Sequence, residues 1–518
     1  MKKNLFLSLF LLCFGMATVV LIQSCEKATT SFELPRAIGP VSLQITDANP
    51  TATDNPSNPT IQITGENALD VVNLLNKTDF TPQNGLITIG LKKNSTPSTS
   101  KPYRFNVVVN AKGYLPNVVP VEIVEDKIQI IFVRLVSLTA PPAGTEITKN
   151  SSQTSTANTI TGKTATINVP SNTIMKDANG NTLSGAVNTT LVQFATSDKN
   201  TQLSFPGGFV QRKLRDEKGV LVDGGVLSPS GYVSIDMEVN GNEVKTFSTP
   251  IDVEVALDKN FLNPQTELPI KAGDEFAVLS MDKATSEWKK EGTTKAVSDG
   301  KGGFKATFKA PHLSFWIIAI INPTCPLGAT INMSGFDPST TYYCILTYAA
   351  TNQVYNTNTI PVRTNASGAG SLRLSYMPTG VRLKAFVYLN PIWTVQGVDL
   401  PPIAQYSTPF DACTGTANVT CTNCAPTTGS VCFDIKIHCN NNATNLETNI
   451  DAPVWFRRYN PSNPNGTWSY LGYVLNGRLC TNALTVGDRY DFITFYGPAW
   501  IGYTVKSAAI TEVREFCP

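Results

Sequence analysis

The dominant pattern in this chain is an apolar residue at every second position. In residues 103–111, "YRFNVVVNA", Phe105, Val107 and Val109 alternate with Arg104, Asn106 and Val108, and further on Ile251, Val253, Val255 and Leu257 point one way. A period of two lines one face of an extended strand, whereas a helix would scatter the same residues around its axis. The segments "VSLQI", "TIQI", "LITIGL" and "KIQIIFVRLVSL" read the same way. Helical spacing is found in "ENALDVVNLLNK", where Leu69, Val72 and Leu75 would share a face. The expectation is an all-β chain.

At 518 residues the chain exceeds one core, because single cores stop growing near ~250–300 residues. Several domains follow. Residues 37–140 read as one β-sandwich and 159–323 as a larger β domain. Between them Pro141-Pro142 and the Ser/Thr/Asn-rich "GTEITKNSSQTSTANTITG" read as a linker over 141–158. The last third contains an internal repeat. "GSLRLSYMPTGVRLKAFVYLNPIW" (370–393) aligns with "GRLCTNALTVGDRYDFITFYGPAW" (477–500), with glycines ten residues apart, Pro391 against Pro498 and Trp393 against Trp500. Two sandwiches of one kind are expected, over 324–414 and 432–518, joined by a cysteine-rich connector, 415–431.

Nine cysteines follow Cys25, all from Cys325 onward. Such clustering suits an exported, oxidising setting. Guided by the repeat, the expected pairs are Cys325 with Cys413, Cys432 with Cys517, Cys421 with Cys424, and Cys439 with Cys480, leaving Cys344 free; connectivity is not deducible from sequence alone. A zinc site from Cys421, Cys424, Cys432 and His438 or Cys439 is the rival, but its second half is C-x6-C rather than C-x2-C. Asp177, Asn179 and Asn181 mimic the start of a calcium loop, yet no glutamate closes twelve residues. Asn179-Gly180 reads instead as a hairpin turn. No metal or cofactor is expected.

The N-terminus, "MKKNLFLSLFLLCFGMATVVLIQSC", has two lysines, an apolar run from Leu5 to Ile22, and Gln23-Ser24-Cys25. This is a leader of the secretory kind, long enough to compete with a membrane-spanning helix. Ile22-Gln23-Ser24-Cys25 resembles a bacterial lipobox. That resemblance implies cleavage after residue 24, acylation of Cys25, and membrane lipid as a partner, with 25–36 as tether. Two or three acyl chains hold such a protein stably. The Tyr- and Asn-rich composition and the lipobox resemble envelope lipoproteins of the Bacteroidetes, which implies the outer membrane and leaves open which face. "NAKGYLPNVVPVEI" resembles the closing strands of carboxypeptidase-regulatory-like and related immunoglobulin-like modules. The order of motifs over 159–323, with "PGGF" and "AGDEFAVLSMDKATSEWKKEG", resembles ZU5-type domains and the related domain of cartilage intermediate layer protein. The implied architecture is a string of tandem Ig-like and ZU5-like β-sandwiches, a stalk with its disulfide-bonded repeats distal.

Chemistry has few carriers. The chain has two histidines, His312 and His438, which excludes histidine-rich metal sites. A formal charge of +2 favours no nucleic acid, and from Cys325 onward there are eleven basic and ten acidic residues. No phosphate-cradling glycine loop is present. His312-Leu313-Ser314 resembles the His-Leu-Ser/Thr of autoproteolytic domains of adhesion receptors and the His-Phe-Ser of ZU5-linked proteins. The resemblance implies Ser314 as nucleophile, His312 as base and scission at the Leu313 carbonyl. The alternative is a core strand in which Leu313, Phe315 and Ile317 are buried and His312 hydrogen-bonds at the edge. In "VWFRRYNPSNPNGTWSYLGYV", Trp455, Tyr459, Trp468 and Tyr470 lie near a hairpin loop, where their faces would stack on sugars or anchor a protein, or else fill a core. The leading expectation is a lipid-anchored surface protein with a structural, adhesive or ligand-binding role and no catalytic site. A glycan-binding accessory lipoprotein and a self-cleaving domain are the alternatives.

Overall fold

The computed structural model describes residues 36–515 except 53–54, 153–157, 283–286, 338–341, 356–359, 363, 366, 389–393, 396–397, 400, 423, 425–430, 442–443, 463–467, 475–476, 482 and 496–498. The leader, Cys25, Pro391, Trp393, Pro498 and Cys517 therefore lie outside the described residues, and the side chain of Cys439 is not described.

Antiparallel sheets dominate, as the period-two pattern requires. In the first module the opening strand Ile38–Asp47 runs antiparallel to Leu86–Leu91 and parallel to Gln129–Leu135. Thr60–Thr64, Tyr103–Asn110 and Asn117–Ile123 form the facing sheet. Both C-terminal repeats use the same plan. Thr324–Ser334 lies between antiparallel Gly370–Pro378 and parallel Thr416–Thr420. Val431–Asn441 lies between antiparallel Arg478–Thr481 and parallel Ala509–Glu515. Their facing sheets also correspond, Ile360–Val362, Tyr342–Tyr348, Arg382–Tyr388 and Ala404–Asp411 against Ser469–Val474, Ala452–Arg458, Arg489–Ile493 and Trp500–Thr504. The first module follows the same plan except at its third strand, Val71–Asn73, which pairs with Leu86–Leu91 instead of joining the facing sheet; the sequence repeat exposes only the two C-terminal copies.

The middle domain packs an eight-stranded sheet on a seven-stranded one. Val233, Ile235, Val253, Val255, Trp316 and Ile318 fill the space between them. Phe194, Tyr232 and Phe315, on the other face of the larger sheet, and Phe205 at the end of a short helix pack against Val108, Leu115 and Val118 of the first module.

Several local expectations change. The strand Thr145–Ser152 pairs with Val187–Phe194, so eight of the residues read as linker are an edge strand of the middle domain. The first part of the connector, Thr416–Thr420, is the last strand of the third module; Ala417 and Val419 point inward and the threonines outward. Leu69, Val72 and Leu75 do not share a helical face. Ala68–Asp70 is a single 3-10 turn followed by the strand Val71–Asn73, which leaves Leu69 exposed, as suits the β-branched Val71-Val72. The helix that does form, Lys199–Ser204, starts at Asp198, whose carboxylate accepts from Thr201 N at 2.9 Å.

A recurring loop explains several hairpins. Asp177, Asp216, Asp299, Asn73 and Asn365 each accept through one side-chain oxygen from the backbone N–H groups two and four residues on. The residue three positions on has positive φ in every case, namely Gly180, Gly219, Gly302, Asn76 and Gly368, which suits glycine or asparagine. The Asp177 oxygens bind Asn179 N, Asn181 N and Asn181 Nδ2, the hairpin expected there.

The modules do not form a string. Trp455 Nε1 in the last module donates to Ser42 Oγ in the first at 3.0 Å, and Gln44 Nε2 donates to the Trp468 carbonyl. Phe132 meets Trp455 and the third module's Tyr343 edge-on, both at 6.2 Å between centroids. The third module also rests on the middle domain, where Ser228 and Tyr348 hydroxyls lie 3.0 Å apart and Gln202 Oε1 accepts from Val354 N at 3.1 Å. Arg36, the last residue of the stretch read as a tether, reaches to 4.0 Å from Asp451 of the last module. The expected distal repeat is therefore beside the point where the tether enters the body.

Candidate functional site

His312-Leu313-Ser314 is the passage between the two sheets of the middle domain. The strand Phe304–His312 belongs to the smaller sheet and Phe315–Asn322 to the larger. The chain crosses through Leu313, packed on the core between the sheets, and Ser314, which is buried. Phe315 and Ile317 are buried toward the first module and Trp316 and Ile318 toward the inter-sheet core.

The polar groups around this passage are specific. His312 Nε2 is 3.2 Å from Glu291 Oε1, and its Nδ1 is 3.5 Å from the Leu313 carbonyl oxygen. The ring stacks on Trp316 with centroids 5.2 Å apart. Glu291 also accepts from Lys289 Nζ and Ser280 Oγ, each at 2.8 Å. Burial raises the Glu291 carboxyl, but the hydrogen bonds from His312, Lys289 and Ser280 and the Lys289 charge outweigh it and bring it down to about 2. Ser314 Oγ donates to the Met281 carbonyl of the neighbouring strand. Histidine and serine, adjacent in the motif, are thus directed to different partners. A nucleophile must be hydrogen-bonded to its base or free to reach it, and here the hydroxyl proton is committed to a backbone carbonyl. Glu291, which orients His312, had no sequence signal, since it lies 21 residues away on another strand.

The aromatic candidates are not a free face. Trp455 is fully buried, Trp468 is 3% and Tyr470 8% exposed. With Leu86, Ile130 and Phe132 of the first module and Tyr343 of the third they form one apolar cluster. Tyr459 alone of the four is not buried, and the Arg489 guanidinium lies 4.2 Å over its ring. Arg457 pairs with Asp491 at 2.8 Å and lies 4.4 Å over Trp468. Interior packing has claimed the rings that a sugar platform needs.

The disulfides are Cys325–Cys413, Cys421–Cys424 and Cys432–Cys480. The first two are the expected pairs. The third replaces both Cys432–Cys517 and Cys439–Cys480, because Cys432 and Cys480 are directly opposite in the pairing of Val431–Asn441 with Arg478–Thr481, whereas Cys439 is opposite Leu446. The sulfurs of Cys421, Cys424 and Cys432 are consequently not available to zinc, and no metal-binding cluster occurs among the described residues. Cys344 is a buried free thiol in the third module's core. No helix among the described residues is long and apolar enough to cross a membrane.

No protein-family model matches the chain, and no curated protein does. Among solved structures it is similar to the Bacillus anthracis TIE protein, at 8% identity over 71% of this chain and 74% of that one, with a TM-score of 0.12. BcpA, the major pilin subunit of Bacillus cereus, has 10% identity over 74% and 98%, with a TM-score of 0.13. The full-length major pilin RrgB from Streptococcus pneumoniae has 9% identity over 93% and 100%, also at 0.13. Superpositions of that quality establish neither a shared arrangement nor a shared role.

Proposed function

We propose that this chain is a lipid-anchored envelope protein whose β modules form a structural or adhesive scaffold at the cell surface, without catalysis. The observation that carries the reading is the set of three disulfides confined to the last two modules, because such bonds persist in oxidising, exported settings. The lipobox-like Ile22-Gln23-Ser24-Cys25 supplies the anchor. The resemblance to Bacteroidetes lipoproteins favours the outer membrane, and the ZU5-like and carboxypeptidase-regulatory-like motifs favour a non-enzymatic body. A shallow crevice between the middle domain and the third module, bordered by Phe261, Tyr348 and the Glu267–Arg382 ion pair, encloses only about 10 Å³, room for about one water. It suits a scaffold better than a deep receptor. Burial of Trp455, Trp468 and Tyr470 counts against the glycan-binding alternative.

Labelling with radioactive palmitate is expected to mark the protein, and Cys25→Ala to abolish the label and release the protein from membranes. Protease treatment of intact cells is expected to degrade it if it faces outward. An unlabelled protein, or unchanged fractionation of the Cys25→Ala variant, would overturn the assignment.

A further inference from the structure

Arg134 is a buried cation without a counter-charge. It lies opposite Thr46 near the end of Gln129–Leu135, on the face that carries Ile130 and Phe132 away from the first module's own core. That face is closed by the helix Lys199–Ser204 of the middle domain and by the strand Ile360–Val362 of the third module. The backbone there is held in place, since Asn117 Nδ2 donates to the Arg134 carbonyl at 2.8 Å and to the Ser204 carbonyl at 3.4 Å.

Arg134 is 9% exposed, yet among the described residues no oxygen accepts from its guanidinium and no carboxylate pairs with it. Its recorded contact is the Phe132 ring, 6.0 Å away. The contrast with other arginines of the chain is informative. Arg104 and Arg212 share Glu122, each at 3.1 Å, and Arg457 has Asp491. A guanidinium has five donors in a planar fork that matches two oxygens of one anion. Leaving that fork desolvated and unpaired is strongly unfavourable, and burial accordingly pushes the Arg134 guanidinium down to about 10. Its nitrogens are not among the fully occluded unsatisfied atoms, so the head keeps a small exposure to solvent.

We propose that Arg134 binds a small oxyanion of the sulfate, phosphate or carboxylate class at the junction of the first module, the middle domain and the third module. The anion neutralises the guanidinium at the place where the three modules meet.

The test is the thermal midpoint of the purified protein at fixed ionic strength, with chloride replaced by millimolar sulfate, phosphate or acetate. A rise of several degrees in one or more of these is expected, the responding anion identifying the source. Arg134→Met is expected to abolish the rise while its midpoint in chloride is unchanged or higher, since an uncompensated charge has gone. Arg134→Lys keeps the charge without the fork, and a smaller rise is expected. No anion-specific rise in the unaltered protein overturns the proposal, whether or not the variants fold. An equal rise in Arg134→Met also overturns it, as non-specific salt stabilisation would give.

Discussion

Replacing Trp455 by alanine probes the contact that brings the last module back to the first. The ring is fully buried, and a tryptophan side chain buries roughly 150–250 Å², which at about 25 cal/mol per Å² is worth roughly 4–6 kcal/mol. Large-to-small changes at tryptophan in cores cost about 3–5 kcal/mol, the same range. The Nε1 hydrogen bond to Ser42 adds about 1 kcal/mol, although Ser42 keeps its contact with Thr88 at 2.9 Å. The ring meets Tyr470 at 5.4 Å on its own module and Phe132 at 6.2 Å on the first, so roughly half of the loss, about 2–3 kcal/mol, falls on the contact between modules. The core of the last module, with Phe433, Ile437 and Phe492, does not include Trp455. Trp455→Ala is therefore expected to leave that module folded but undocked. Small-angle scattering should show a larger radius of gyration, and amide exchange should accelerate at Ser42 and Gln44. A single cooperative transition at lower temperature, with unchanged radius and exchange, would refute the reasoning by showing one indivisible core.

Three further outcomes follow from the same contacts. Burial pushes the Cys344 thiol up to about 12, so it should resist iodoacetamide in the native protein and react on unfolding; rapid native labelling would contradict the packing. Because the folded Glu291 carboxyl is held at about 2, below its unfolded value, its stabilisation is complete above about pH 4.5. It is lost as pH falls toward 2, and Glu291→Gln should flatten that part of the midpoint-versus-pH curve. The purified protein should have the mass of one uncut chain, reduced or not, and Ser314→Ala should change only stability, by about 1 kcal/mol for the lost bond to Met281; fragments meeting between Leu313 and Ser314 would reverse this.

Local rules read this chain well, and long-range rules read it poorly. Alternation in "YRFNVVVNA" predicts the strand Tyr103–Asn110 because the signal lies within the segment. Asn179-Gly180 predicts its hairpin for the same reason, and the glycines at 370, 380, 477 and 487 expose the repeat. The first module's membership of that topology left no shared residues to align. Ser42 and Gln44 alternate with Val41, Leu43 and Ile45 as a solvent face would, yet both are buried under the last module. Trp455 and Trp468 read as a platform because their covering surface lies in another part of the sequence. The cysteine pairing failed at Cys432 because register across strands, not spacing along the chain, selects its partner.

Ser42 is made 413 residues before the tryptophan that covers it. At ~5–20 residues per second of synthesis, the surface bearing Leu86, Ile130 and Phe132 waits roughly a quarter of a minute to a minute for its lid. Throughout that interval a nascent chain displays a sticky patch to its neighbours. Truncated products lacking the final module are the ones expected to aggregate.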